Sequence, residues 1–339
     1  MNNILNKKVL YLTFFLIFIF LIIYLLDILV PFFIGLLIAY LLDPLVDFFE
    51  ANRIKRGIAT SIVLSLFFLI FTILFFLIFP ILSIQFKSFL IEFPTIIDTV
   101  NQYFNFITEY FQKKVFQESN TDLLKNLLPN FSNLITSFFK NIVSSSLAVF
   151  NIITIILVTP VVSWYFLKDW DRIIMNFNSL LPSKYKKKVI KYAKDVDLIF
   201  SAYLRGQILV SLILTFFYFF SFYIVGLKYS LFVGIFAGFF SFIPLIGIMI
   251  SFLMCVLLAY LQFLDVYIVF YIILIFFVAQ LLESNFLTPK LIGKKLGLHP
   301  LAVLFSIFVF GALFGIIGII FATPLMATII LIFKNNLRN

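Results

Sequence analysis

Apolar residues in this chain come in long blocks rather than in alternation, and polar residues are confined to the joints between the blocks. A block of about 20 residues is what an α-helix needs to cross the hydrocarbon core of a bilayer. In chain order the blocks predict a first span over Val9 to Leu26 and a second over Ile28 to about Leu42. A third is predicted over Gly57 to Pro80, a fourth over Leu147 to Leu167, a fifth over Gln207 to Gly226 and a sixth over Val266 to Leu282. The absence of two-residue alternation argues against a membrane β-barrel.

Two further blocks do not fit this scheme. Leu231 to Leu261 is a 31-residue run interrupted by IPLIG at 243–247, and Leu301 to Phe333 is a 33-residue run broken by Gly311, Gly315, Gly318 and Pro324. Each is too long for one straight crossing and too short for two comfortable ones. Their length and central breaks suggest hairpins of two half-helices that dip into the bilayer and return. Backbone left unpaired at that depth has to face protein or a water-filled cavity, and paired broken segments mark the substrate site in many transporters. The plainer alternative is that these Gly and Pro residues only kink ordinary helices or let neighbours pack closely.

Outside the spans the chain changes character twice. Residues 81–146 balance five acidic against five basic residues, and Ile97, Val100, Phe104, Ile107 and Phe111 recur at helical spacing just after Pro94. With Asn and Ser clustered at 117–121 and 130–133, this region reads as a small amphipathic helical domain on the outer face. Between Lys168 and Arg205 there are nine basic and four acidic residues, which places that stretch in the cytoplasm as a basic helical loop on anionic lipid. The expected organisation is therefore helices 1–3 over 1–80, the outer domain over 81–146, a fourth span over 147–167 and the basic loop over 168–205. A C-terminal core with both broken runs covers 206–333, followed by a cytoplasmic tail over 334–339.

Charge makes the topology consistent. With the N-terminus inside and both broken runs returning to the face they left, every basic segment (7–8, 53–56, 168–205, 290–295 and 334–338) lies on the cytoplasmic side. Eight thin crossings keep the same parity. The fold class expected is thus an all-α polytopic membrane protein, with about six full spans plus two re-entrant hairpins or with eight spans, and with both termini cytoplasmic. Lys7 and Lys8 before an 18-residue apolar run resemble a signal peptide, but no small-residue cleavage site follows, so that run reads as a retained span.

Composition narrows the chemistry. The chain is 63% hydrophobic and 12% charged, with 50 Phe among 339 residues, which no soluble core could bury. The net charge of +10 fits cytoplasmic loop bias better than nucleic-acid binding. One Cys, Cys255, and one His, His299, leave no disulfide framework and no Cys or His metal cluster. There is no GxxxxGK[ST] loop, no HExxH and no Ser with an available His, so the enzyme reading is weak and no cofactor is expected.

Polar groups at membrane depth are costly and usually serve a pathway. Glu283 closes the sixth span, with Gln280 a turn earlier and Asn285 just beyond, while Arg205 and Gln207 open the fifth. An ion pair between Glu283 and Arg205 is one expectation. Together with Pro244, Gly247, Gly311, Gly315, Gly318 and Pro324 these form the candidate transport pathway. Asp27, Asp265 and Lys228 read as residues that mark where a helix reaches water.

Several segments resemble the autoinducer-2 exporter family of bacterial and archaeal permeases, which includes PerM-like proteins. They are PFFIGLLIAYLLDPLVDFF followed by KRGIAT, VVSWYFLKDWDRI, AYLRGQ at 202–207 and GFFSFIPLIG at 238–247. QLLESNFLTPKLIGKKLGLHP and FGIIGIIFATPL are the most specific. The resemblance implies a multi-pass inner-membrane permease that forms a homo-oligomer. By position it singles out Arg205, Gln207, Pro244, Gly247, Glu283, Asn285, Pro289, Gly293, His299, Pro300, Gly315, Gly318 and Pro324. Roles in the family range from export of a signalling furanone to sodium or proton antiport, so no solute carries over. The departure here is an enrichment in Phe, Ile and Lys. The expected function is a secondary permease or exporter of a small solute, with proton or sodium coupling to be tested first at Glu283. The alternative is a non-transporting scaffold for the cell envelope.

Overall fold

The computed structural model describes residues 26–114, 147–244, 246–292 and 298–337. The first span, the Asn/Ser clusters at 117–121 and 130–133 and Gly293 lie outside the described residues. The described residues form helices joined by turns and short connections, with no strand among them, in two compact units: residues 1–72 with 145–180, and residues 73–144 with 181–339.

The first unit is built on α1 (Leu26–Ala51), the start of α2 (Arg56–Lys114), α3 (Leu147–Lys168) and α4 (Trp170–Leu180). The second span was expected to end at Asp43-Pro44, but α1 continues through both Pro31 and Pro44. Each proline removes one ladder bond yet keeps a helical φ, a loss that membrane helices tolerate. Ala39, Leu42 and Val46 of α1 pack with Ala59, Val63, Leu64 and Leu167. At Gly35 α1 comes so close to α3 that a Cβ would lie 2.7 Å from Val162 Cγ1. Small residues at helix crossings are how apolar helices associate where lipid is as apolar as they are.

Helix α2 is a second correction. The third span was placed at Gly57 to Pro80 with a separate helix after Pro94, whereas Arg56–Lys114 is one helix of 59 residues. At 1.5 Å per residue it is about 90 Å long, far more than a bilayer core requires. Its apolar part, Arg56–Glu92, runs past Pro80.

The second unit is organised around α5 (Ser183–Val225), which joins the lysine-rich stretch and the fifth span into one helix of 43 residues. The basic stretch is helical as expected, and its second part runs into the fifth span without a break. Gly226 ends α5 in the left-handed conformation (φ 82°), donating its N–H to the last-turn carbonyls, a common helix stop. Then come α6 (Ser230–Phe240), α7 (Ile246–Phe263) and α8 (Val266–Leu282). The carboxylate of Asp265 caps α8 by accepting from the Tyr267 N–H at 2.9 Å. A π-helical turn (Glu283–Leu287), the short α9 (Thr288–Leu291) and α10 (Pro300–Leu337) complete the described chain.

Both long apolar runs are broken where the sequence suggested. The first divides into the 11-residue α6 and the 18-residue α7 around residues 241–245. The second breaks inside α10 at Gly315, whose φ of 61° and ψ of −140° are not helical. In both places the chain folds back on itself, and a glycine makes the reversal possible. A Cβ on Gly247 would sit 1.7 Å from the Phe240 carbonyl oxygen, and one on Gly318 would sit 1.8 Å from that of Phe310.

Candidate functional site

Three residues spaced four apart on α5, Gln207, Ser211 and Thr215, form one polar stripe in the largely apolar C-terminal half of the helix. Opposite them α6 presents Gly234 and Gly238. A Cβ on Gly238 would lie 1.9 Å from Thr215 Oγ1, and one on Gly234 would lie 2.7 Å from the Phe219 backbone. With both absent the helices touch backbone to side chain, and the polar groups reach across. Ser211 Oγ donates to the Gly238 carbonyl at 2.5 Å, and Gln207 Nε2 donates to that of Ser241 at 2.9 Å. Ser241 Oγ in turn donates to the Gly238 carbonyl at 2.6 Å. Backbone released by the end of α6 is therefore paired with protein rather than left to lipid, as the bilayer requires.

The turn of α5 before Gln207 meets the other broken run. Tyr203 packs edge-on against Phe242 with centroids 6.3 Å apart, and Phe200 stacks on Phe321 at 6.2 Å. The Tyr203 and Thr323 hydroxyls approach each other, but neither closes a hydrogen bond, although both residues are buried. On the third side Gly206 receives α9: a Cβ there would lie 2.7 Å from the Leu291 carbonyl oxygen. One stretch of α5, Phe200 to Gln207, thus touches both broken runs and the segment that joins them.

The residues singled out from the sequence do not gather at one point. Gln207 is 4% exposed and bonded to the first reversal, whose turn holds half-buried Pro244 and buried Gly247. Gly311, Gly315 and Gly318 form the second reversal, where Gly311 faces Ile319. Pro324 is fully buried beside Thr323. Glu283 and Asn285 lie in the π-helical turn, half-buried and exposed respectively, while Gln280 is exposed at the end of α8. π-Turns inside α-helices often occur at functional sites. Arg205 is half-buried and forms no ion pair with Glu283; the pair expected from the sequence is not present. Two cavities among the described residues, of about 450 and 420 Å³, flank Leu227 and Lys228 at the far end of α5.

Sequence reasoning missed Ser211, Thr215 and Ser241. The signal was available in the Gly234-x-x-x-Gly238 spacing and in polar residues recurring every fourth position. It also missed Arg56 in the first unit. Its guanidinium contacts Asp43 at 2.7 Å, Asp47 and Glu50 at 2.9 Å and Asp171 at 3.1 Å, and its Nε donates to the Leu167 carbonyl. Two neighbouring motifs, DPLVDFFE and KRGIAT, are joined through this one fork to the sequence-distant FLKDWD.

Six described helices are long and apolar enough to cross a membrane, and two apolar runs break at glycines, the first of them hydrogen-bonded to the polar stripe of α5. That arrangement defines a multi-pass α-helical membrane protein with the broken-helix architecture of transporters. The family model for the AI-2E family transporter matches residues 12–338, and the chain belongs to that family. It is 26% identical over 298 residues to "Putative transport protein YueF" of Bacillus subtilis (strain 168), covering 85% of this chain and 78% of that one. It is 24% identical over 272 residues to "Putative permease PerM" of Escherichia coli (strain K12), covering 80% and 76%. Its 32% identity to "Putative transport protein YrrI" of B. subtilis extends over 170 residues, half of this chain.

Proposed function

We propose that this protein is a secondary permease of the cytoplasmic membrane, with both termini on the cytoplasmic side, moving a small solute as the two broken runs shift against α5. The observation that carries this reading is the convergence of both broken runs on Phe200 to Gln207. A solute path formed there can open by moving the Phe200–Phe321 and Tyr203–Phe242 contacts, without disturbing the glycine-packed α5–α6 pair. The unpaired Tyr203 and Thr323 hydroxyls are the polar groups such movement would expose to a solute.

The test is a reversible cross-link. Phe200→Cys and Phe321→Cys are introduced in a Cys255→Ala background, and the protein is reconstituted in vesicles loaded with a small-metabolite extract. A short bifunctional methanethiosulfonate reagent should stop release of the transported solute, detected by mass spectrometry, and a reductant should restore it. Release unaffected by the cross-link would rule out this path. Coupling is tested separately with Glu283→Gln: if Glu283 carries the coupling proton or sodium, solute release should lose its response to an imposed gradient while insertion is unchanged.

A further inference from the structure

The end of the second unit opposite the lysine-rich start of α5 holds a group of residues that the transport reading does not use. Gly226 and Leu227 turn the chain from α5 into α6, and Gln262 at the end of α7 clamps that turn. Its Oε1 accepts from the Lys228 N–H at 2.8 Å, and its Nε2 donates to the Gly226 carbonyl at 2.9 Å. The clamp sets the direction of Lys228. Its ammonium reaches α2, where it donates to the carboxylate of Glu92. Burial and aromatic packing fix α2 at this height: Phe89 is 1% exposed and packs against Tyr229 and Phe232, and Gln85 Oε1 accepts from the Phe232 N–H at 2.9 Å.

Beneath the ion pair is a cavity of about 450 Å³, a size that suits a small-molecule ligand. Its walls combine three kinds of group. The Lys228 ammonium and the Glu92 carboxylate stand side by side at its rim, with side chains 53% and 43% exposed, so both are accessible to solvent. The hydroxyl of Tyr229, a residue only 4% exposed, lies close to both charges but closes no hydrogen bond. Leu258 and Leu261, with the exposed Leu264, supply apolar lining. An exposed ion pair of this kind contributes little to stability by itself. Here it borders an apolar hollow, with the Tyr229 hydroxyl close beside both charges.

We propose that this cavity binds a small zwitterion with an apolar tail, such as an aliphatic amino acid. A ligand carboxylate would take the Lys228 ammonium and its ammonium would take the Glu92 carboxylate, each replacing half of the existing pair. Tyr229 would donate to the ligand carboxylate, and the tail would rest on Leu258, Leu261 and Leu264. A purely anionic or cationic ligand could engage only one member of the pair and would return the other to water, so it gains one charged contact where a zwitterion gains two. The site is independent of the convergence at Phe200 to Gln207 and does not require that the protein transports what it binds here.

The experiment is equilibrium binding to the purified full-length protein in detergent, so that transport does not enter the readout. The probes are leucine, isoleucine and valine, with leucinamide and N-acetyl-leucine as cation-only and anion-only controls. At least one zwitterion should bind at millimolar concentration or tighter, and both controls should bind at least tenfold more weakly. Glu92→Gln and Lys228→Met should each weaken binding tenfold or more. Unchanged shielding of Cys255 from thiol reagents would show that each variant is folded. Three results would each overturn the proposal: no zwitterion in the set binds, the controls bind as well as leucine, or neither substitution in a folded variant changes affinity. The last two would leave the pair as a surface salt bridge only.

Discussion

Gln207, in the middle of α5, donates its side-chain amide to the backbone carbonyl of Ser241, at the point where α6 ends and the chain turns back. A buried carbonyl released by a broken helix has to find a donor, and Gln207 is the residue that supplies it. Gln207→Leu keeps the volume but removes the donor. The orphaned carbonyl should cost about 1–3 kcal/mol, seen as a lower melting temperature in detergent. Solute release should fall by more than this loss explains, because the reversal is no longer held against α5. A Gln207→Leu protein with wild-type melting and release would mean that water or another group already satisfies Ser241.

The glycines of the two reversals should separate by mechanism when each is changed to alanine. At Gly247 and Gly318 the new Cβ would fall 1.7 and 1.8 Å from carbonyl oxygens, so the limbs must move apart. Overpacking of this kind costs about 1–3 kcal/mol or more. At Gly315 no atom lies within 4 Å, but φ of 61° with ψ of −140° is nearly confined to glycine, and strain of about 1–3 kcal/mol is expected instead. Gly57→Ala, whose nearest neighbour would be Lys168 Cε at 4.0 Å, should be neutral. Equal melting temperatures for Gly57→Ala and Gly247→Ala would contradict the packing described here.

Arg56 should matter to the first unit far more than any one of its partners. Asp43 is its most enclosed partner, with a side chain 17% exposed, whereas Asp47, Glu50 and Asp171 are 57%, 45% and 62% exposed. Arg56→Met leaves the shielded Asp43 without its counter-charge among three other carboxylates, and a loss of about 2–4 kcal/mol is expected. Asp47→Asn or Glu50→Gln removes an exposed contact and should change stability by less than about 1 kcal/mol. Arg56→Lys should recover only part, because an ammonium cannot hold several carboxylates in a planar fork. Denaturation of the four variants in parallel checks the order.

How much of this was legible in the sequence depended on whether a signal was local. Apolar run length located the sixth span at Val266 to Leu282, and the clusters IPLIG and Gly311 to Gly318 located both reversals, because backbone breaks are written in Gly and Pro. Proline misled where it stands alone: Pro44, Pro80 and Pro94 read as helix ends, yet α1 and α2 run through them. Partnerships between distant residues were not legible. Gln207 was chosen for its depth, but nothing in its neighbourhood names Ser241. Lys228 was set aside as a boundary residue, and only the fold brings Glu92, 136 positions earlier, to its side.

Cys255 gives a direct way to follow these effects. It is fully buried in the core of the second unit, among Leu258, Ala259, Ile272 and Phe276, and it is the sole thiol in the chain. A membrane-permeant maleimide that fluoresces on reaction should leave the native protein unlabelled and react in one step on heating, because a thiol packed at interior density offers no path to a reagent of that size. Gly247→Ala should bring that step to a lower temperature, since it separates α6 from α7, the helix that carries Cys255, while Gly57→Ala should leave it in place. Rapid labelling of the native protein below its melting temperature would show that the second unit opens locally around α7, and the closely packed hairpin inferred for that run would then have to be abandoned.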